Sequence, residues 1–236
     1  MTLHALLVDI DNTIYSYEPC HAEGMLRAWK RARQMSERWA CQASFLASFR
    51  RARATVKARI GAQAAAHSRL LYFKEMTEFN AGASRLHQAM ALSEEYWKGF
   101  GSRMRLDEGC LDALNELSGK AAIAWVSNYT TKRQVWKLQK LGLAEVGRFL
   151  ITSEEAGAEK PDPRPLRLAL DKLGAECEAT LAVGDSFTED VGAARACGIK
   201  CAWMQRDEQN MIAEDSVFPV RNWTDVYEVV YDWMHR

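Results

Sequence analysis

Leu6-Leu7-Val8-Asp9-Ile10-Asp11-Asn12-Thr13 runs from a short apolar stretch into two carboxylates one residue apart. A continuous apolar run of this length reads as a buried strand, and the carboxyl ends of strands in open α/β sheets are where ligands gather. Asp, Asn and Thr there also suit a plain turn, because their side chains hydrogen-bond the nearby backbone. Three later segments tip the balance. Val126-Ser127-Asn128 closes Ala121-Ala122-Ile123-Ala124-Trp125, Lys160-Pro161 follows Phe149-Leu150-Ile151-Thr152, and Gly184-Asp185-Ser186-Phe187-Thr188-Glu189-Asp190 closes Leu181-Ala182-Val183. Four polar clusters at the ends of four apolar runs make one site if the runs are neighbouring parallel strands. Carboxylates held as close as Asp9 and Asp11 repel, so a site that keeps both needs a cation or a shared proton.

The text between these runs supports an α/β fold with a parallel sheet. Helical patterns over 107–117, 131–141, 163–173 and 188–197 alternate with the apolar runs, and Gly142, Gly174 and Gly198 stand where helix C-terminal caps belong. A further strand is expected over 199–203 and a closing helix over 223–233. About a hundred residues separate the first cluster from the second strand, far too many for a connecting loop. They carry their own helical periodicity: Met25, Leu26 and Trp29; Phe45, Leu46 and Phe49; Leu70, Leu71, Phe73, Met76 and Phe79. Ser93 reads as the N-cap of another helix. We therefore expect a core formed by 1–15 and 104–236, interrupted by a helical domain over 16–103.

Composition describes an ordinary globular chain: 236 residues, 48% hydrophobic, 26% charged, net charge zero. The charge is unevenly spread. Residues 27–74 hold twelve basic side chains and one acid, leaving nineteen basic and thirty acidic residues elsewhere. No apolar stretch reaches bilayer length and no secretory leader is evident, so a cytoplasmic location and no membrane partner are expected. The six cysteines form no CxxC pair and read as reduced, and the five histidines share no metal-binding spacing.

As a set, and in this order, the four clusters resemble the motifs of the haloacid dehalogenase (HAD) superfamily of phosphohydrolases, and the resemblance spans almost the whole chain. It implies a Rossmann-like core with a helical C1 cap inserted after the first strand. It also implies Asp9 as nucleophile, forming an aspartyl-phosphate, and Asp11 as the acid that protonates the leaving oxygen and later activates water. Ser127 would bind phosphate oxygens and Lys160 would balance charge, although by themselves these residues read equally as a helix N-cap and a solvated lysine. Thr13 would fix the nucleophile loop and Asn128 would touch the phosphate or the leaving group. Mg²⁺ would be held by Asp9, Asp185 and the Asp11 backbone carbonyl, with Asp190 acting as a metal ligand or orienting Lys160. The expected function is hydrolysis of small phosphate monoesters such as sugar phosphates, sugar-acid phosphates or nucleotides.

Relatives in the same superfamily keep other chemistries open: dehalogenation, phosphonate cleavage with a cap lysine, and mutase-type phosphoryl transfer. An acid at Asp11 argues against dehalogenation, since a departing halide needs no proton. A binding module using the basic helices is the alternative outside enzymology. An intact catalytic set argues against it, and against nucleic acid as partner. The motifs set no oligomeric state.

Overall fold

The computed structural model describes residues 3–205 and 214–235. The chain divides into two compact units, one formed by Met1–Ser16 with Arg105–Arg236 and the other by Tyr17–Met104.

The first unit is built on a sheet of six strands: β1 (Ala5–Val8), β2 (Ala122–Ser127), β3 (Phe149–Thr152), β4 (Thr180–Gly184), β5 (Lys200–Met204) and β6 (Val217–Val220). Their order is β3-β2-β1-β4-β5-β6 and every pairing is parallel. Leu6, Leu7, Val8, Ile123, Val126, Leu181 and Val183 are buried, as strands covered on both faces require. In register, Val8 lies between Trp125 and Val183. The chain turns from one half of the sheet to the other around β1, so the crevice at its carboxyl end is the topological switch point where such sheets bind ligands.

The second unit is helical: α1 (Tyr17–Ala32), α2 (Gln42–Ile60), α3 (Arg69–Ala81) and α4 (Leu86–Arg103). Its interior is aromatic, with Phe45, Phe49, Tyr72, Phe73, Tyr96 and Phe100 buried together. Backbones of α1 and α4 approach closely at two glycines. A methyl group on Gly99 would lie 2.7 Å from the Glu23 carbonyl oxygen and 2.9 Å from Gly24 Cα. Ser93 does not cap a helix: it is buried inside α4, which begins at Leu86 because Ala89, Leu92 and Tyr96 form one continuous inward stripe. Phe79 also departs from its expected face, lying 44% exposed beneath the Arg51 guanidinium. Arg50, Arg51, Arg53 and Arg59 are exposed, and Arg59 pairs with Glu75 at 2.7 Å. Arg69 instead is buried and donates to the Tyr17 and Tyr96 hydroxyls and to the His67 carbonyl.

Around the sheet lie α5 (Cys110–Ser118), α6 (Thr131–Leu141), α7 (Ser153–Ala156), α8 (Arg164–Leu173), α9 (Gly192–Ala196) and α10 (Trp223–His235). Gly142 and Gly174 end α6 and α8 with φ of 74° and 63°, a conformation open to glycine without strain. The helix expected over 188–197 is instead a π-helical turn, Phe187–Val191, followed by α9. Strand β6 was not anticipated, since Pro219 breaks its pattern; as the edge strand it tolerates the missing donor. Where the two segments of this unit that flank the helical insertion meet, Asp107 N–H donates to the Ile14 carbonyl at 3.0 Å. None of the six cysteines forms a disulfide, and no described helix is long and apolar enough to cross a membrane.

Candidate active site

Asp9 follows β1 directly, its N–H continuing the ladder to the Val183 carbonyl at 2.9 Å. One carboxylate oxygen accepts from Lys160 Nζ at 2.8 Å and the other from Thr13 Oγ1 at 3.1 Å. The loop beyond it turns through Asn12, the one described non-glycine residue with positive φ, 65°, a conformation asparagine tolerates. There the Asn12 amide donates to Asp185 at 2.8 Å, tying the loop to the end of β4. Asp185 is fixed from behind, its carbonyl accepting from the Trp203 indole on β5 at 2.9 Å.

Asp190 reaches the same place from the π-helical turn. A methyl group on Gly184 would lie 2.2 Å from Asp190 Cγ, so the aspartate can cross the end of β4 only because position 184 has no side chain. One Asp190 oxygen accepts from Ser186 N–H at 2.9 Å and the other from Lys160 at 2.5 Å. Lys160 is buried and spends its three N–H donors on Asp9, Asp190 and the Val126 carbonyl at 2.8 Å. Of the two sequence readings, the solvated lysine is thereby set aside. Asn128 clamps the lysine's own backbone, accepting from Lys160 N–H at 2.7 Å and donating to the Lys160 carbonyl at 2.9 Å, with Glu189 Oε2 at 3.1 Å on its amide. Its side-chain amide is engaged by this loop. Thr13 Oγ1 faces carboxylates, Asp9 and, at 3.5 Å, Asp185.

Asp9, Asp185 and Asp190 each place one oxygen within 4.8 Å of the others. Burial pushes the Asp9 carboxyl up to about 8, against the pull of Lys160 and with the help of the Asp190 and Asp185 charges. Burial also raises Asp185, with Asp190 adding to it while Asn12 and Lys160 oppose. For Lys160, burial is outweighed by Asp190 and Asp9, and its ammonium is held more firmly charged than usual. Two buried carboxylates share one lysine and a third, half-buried, lies beside them, and this excess of negative charge on hard oxygen donors fits a divalent cation such as Mg²⁺. The Asp11 carboxylate is not part of this trio, so any metal contact from Asp11 is left to its backbone.

Asp11 has its own lysine. Lys137 Nζ lies 2.5 Å from both carboxylate oxygens, Gln134 Nε2 donates to one at 2.9 Å, and the Tyr15 hydroxyl donates to the other. Gln134 Nε2 also lies 2.6 Å from Ser127 Oγ, linking the hydroxyl after β2 to Asp11. The Lys137 ammonium sits 4.7 Å from the centre of the Tyr129 ring. Burial would raise the Asp11 carboxyl, but the Lys137 charge and the hydrogen bonds from Lys137, Tyr15 and Gln134 outweigh it and hold the group as a carboxylate. Sequence reasoning missed Gln134 and Lys137. The signal was present: both fall on the inward stripe of α6 with Leu138, where a helix packed on a sheet normally shows apolar residues.

A family model described as haloacid dehalogenase-like hydrolase matches residues 3–198. A ribulose-1,5-bisphosphate 5-phosphatase of Halopiger xanaduensis is 34% identical over 213 residues, which is 90% of this chain and 89% of that protein. A phosphoserine phosphatase of Thermus thermophilus is 38% identical over 85 residues, 36% of this chain and 34% of the relative. Among solved structures, a magnesium-bound HAD hydrolase of Bacillus subtilis superposes with a TM-score of 0.75 at 19% identity, covering 98% of this chain and 100% of the other.

Proposed function

Since the chain belongs to the haloacid dehalogenase-like hydrolases, we propose that it is a Mg²⁺-dependent phosphatase of small phosphorylated metabolites that works through an aspartyl-phosphate. The observation that carries this reading is the joining of Asp9, Asp185 and Asp190 around buried Lys160 at the switch point of a parallel sheet. Asp9, Asp185 and Asp190, with the Asp11 carbonyl, would hold Mg²⁺, which supplies positive charge to the phosphoryl oxygens. Lys160 adds the charge the protein itself provides. An oxygen of Asp9 attacks phosphorus and the ester P–O bond breaks, with Asp11 serving the proton needs of the departing oxygen. Water then attacks the phosphorus and passes a proton to Asp11, the Asp9–P bond breaks, and inorganic phosphate leaves. Ser127 and backbone N–H groups near it hold the phosphate oxygens. Because Asp11 rests as a carboxylate, the second half-reaction is the one its resting state already suits.

Sugar phosphates lead the substrate classes, supported by the 34% identity, over 90% of this chain, to a phosphatase named for a sugar bisphosphate. The helical unit, Tyr17–Met104, we read as the cap of the C1 type. Dehalogenation is disfavoured by the four hydrogen-bonding contacts that keep an acid in place at Asp11. The test is release of inorganic phosphate across phosphorylated sugars, sugar acids, nucleotides and an aryl phosphate. Chelation should abolish turnover and Mg²⁺ restore it, and Asp9→Asn should remove it while the protein remains folded. Full activity in excess EDTA, or in folded Asp9→Asn, would reject the mechanism.

A further inference from the structure

Two buried lysines divide the acidic groups of this site between them. Lys160 serves Asp9 and Asp190, whereas Lys137, buried to 1% exposure, serves Asp11. Its ammonium grips both Asp11 oxygens at 2.5 Å, so the carboxylate cannot rotate without breaking one contact. Tyr15 reinforces one oxygen and Gln134 the other. Each oxygen thus has two contacts, one of them to the shared Lys137 ammonium. Gln134 carries the same set across to Ser127 at 2.6 Å. A lysine buried on a helix that packs against a sheet is costly unless a specific partner repays it. Here the partner is a carboxylate that is still quarter-exposed.

We propose that Lys137 is a positioning residue for the hydrolytic half-reaction, holding the Asp11 carboxylate where it takes the proton of the attacking water, with Gln134 and Tyr15 setting its tilt. This rests on the reading of Asp11 as the proton acceptor. It assigns Lys137 a role separate from that of Lys160, which neutralises charge around the nucleophile and metal. Loss of Lys137 should therefore slow breakdown of the aspartyl-phosphate more than its formation.

A nitrophenyl phosphate isolates the two steps, because its leaving group departs without an acid and kcat/KM reports formation of the phosphoenzyme alone. With Lys137→Met, kcat should fall at least about tenfold, within the range a general base supplies. KM should fall with it, so that kcat/KM stays within about threefold of the unaltered enzyme. A burst of about one nitrophenol per site should precede the slowed steady state, as accumulating covalent intermediate requires. Asp11→Asn sets the scale for loss of the base, and the double variant should be no slower than Asp11→Asn, since a residue acting only through Asp11 has nothing left to position. Lys137→Gln provides a second neutral variant of similar reach should the methionine protein fail to fold. Parallel loss of kcat and kcat/KM without a burst, additive losses in the double variant, or collapse of both Lys137 variants would make Lys137 structural and overturn the proposal. A burst in Asp11→Asn but none in the Lys137 variants rejects the role of Lys137 alone. Its absence from Asp11→Asn removes the proton-acceptor reading, and this inference with it.

Discussion

Replacing Lys160 with methionine should turn the three-carboxylate trio from a tolerated cluster into a folding liability. The lysine is 4% exposed and donates to Asp9, Asp190 and the Val126 carbonyl, all at 2.8 Å or less. Methionine keeps much of its length and none of its donors, leaving two buried carboxylates without their shared cation. Removing one partner of a buried pair costs about 3–5 kcal/mol, because the other is left charged and desolvated. For a protein of this size that corresponds to a fall of roughly 6–20 °C in melting temperature. The deficit should depend on pH. Without Lys160, whose charge opposes the rise, the Asp9 carboxyl is raised further, so the folded state holds more protons than the unfolded chain above about pH 4, and stability falls as pH rises. Thermal melts in EDTA at pH 5 and pH 8 measure this, with the difference between variant and parent widest at pH 8. Added Mg²⁺ should recover part of the loss by supplying the missing charge. A Lys160→Met protein that melts within about 2 °C of its parent in EDTA at pH 8 would refute the reasoning, since by the same scaling it would have lost under about 1 kcal/mol.

Gly184→Ala should drive Asp190 off its position, costing about 1–3 kcal/mol for overpacking and weakening Mg²⁺ binding about tenfold or more by calorimetry; unchanged Mg²⁺ affinity in the folded variant would contradict the geometry. The metal-free parent should lose stability between about pH 4 and pH 8, because the Asp9 carboxyl is raised to about 8 and the folded state binds the extra proton. Asp11 acts with the opposite sign, its lowered carboxyl contributing stability that disappears only as pH falls below the ordinary aspartate range, and so does His21, held by burial at about 4, up to about pH 6.5; melts in EDTA from pH 6.5 to 8 therefore read the Asp9 effect, and a melting temperature rising across that window would count against it. In the helical unit, Gly99→Ala should destabilise by about 1–3 kcal/mol despite alanine's better helix propensity, as its methyl meets the Glu23 carbonyl oxygen at 2.7 Å. Gly119→Ala, whose methyl has 3.5 Å of clearance at a right-handed φ of −77°, should be neutral or stabilising, and urea titration of the two variants against the parent checks both.

Strands β1 to β5 were readable because buried parallel strands are short unbroken apolar runs, and the polar clusters were readable because each begins where such a run stops. The boundaries of α6 and α8 were marked by Gly142 and Gly174, whose positive φ leaves a sequence signature. Beyond that, legibility depended on whether a residue's partner lay in its own segment. Thr13 and Asp9 are four residues apart and could be linked by eye; Asn128 clamps a backbone thirty-two residues away, and Gln134 and Lys137 meet Asp11 across more than a hundred and twenty. Lysine and glutamine on a helix read as solvent-facing by habit of composition, and only the packing of α6 on the sheet shows that they point inward. Ser93 misled for the reverse reason. A residue type that caps helices also fits inside one where a small side chain is needed. Strand β6 escaped notice because its proline offends the strand pattern everywhere but at an edge.

The place of β1 in the sheet has a consequence for how the protein is made. It is the first strand to leave the ribosome and it belongs in the middle, between β2 and β4, which begin at Ala122 and Thr180. At about 5–20 residues per second, β1 waits roughly 6–25 s for its first neighbour and 10–35 s for its second. Throughout that wait Leu6, Leu7 and Val8 have no sheet to enter. The 88 residues of the helical unit are all synthesised well before β4. Nascent chains of this protein therefore expose an unpaired apolar strand for that time, and the hydrogen bond from Asp107 to Ile14 is among the earliest that can draw the two segments flanking the helical unit together.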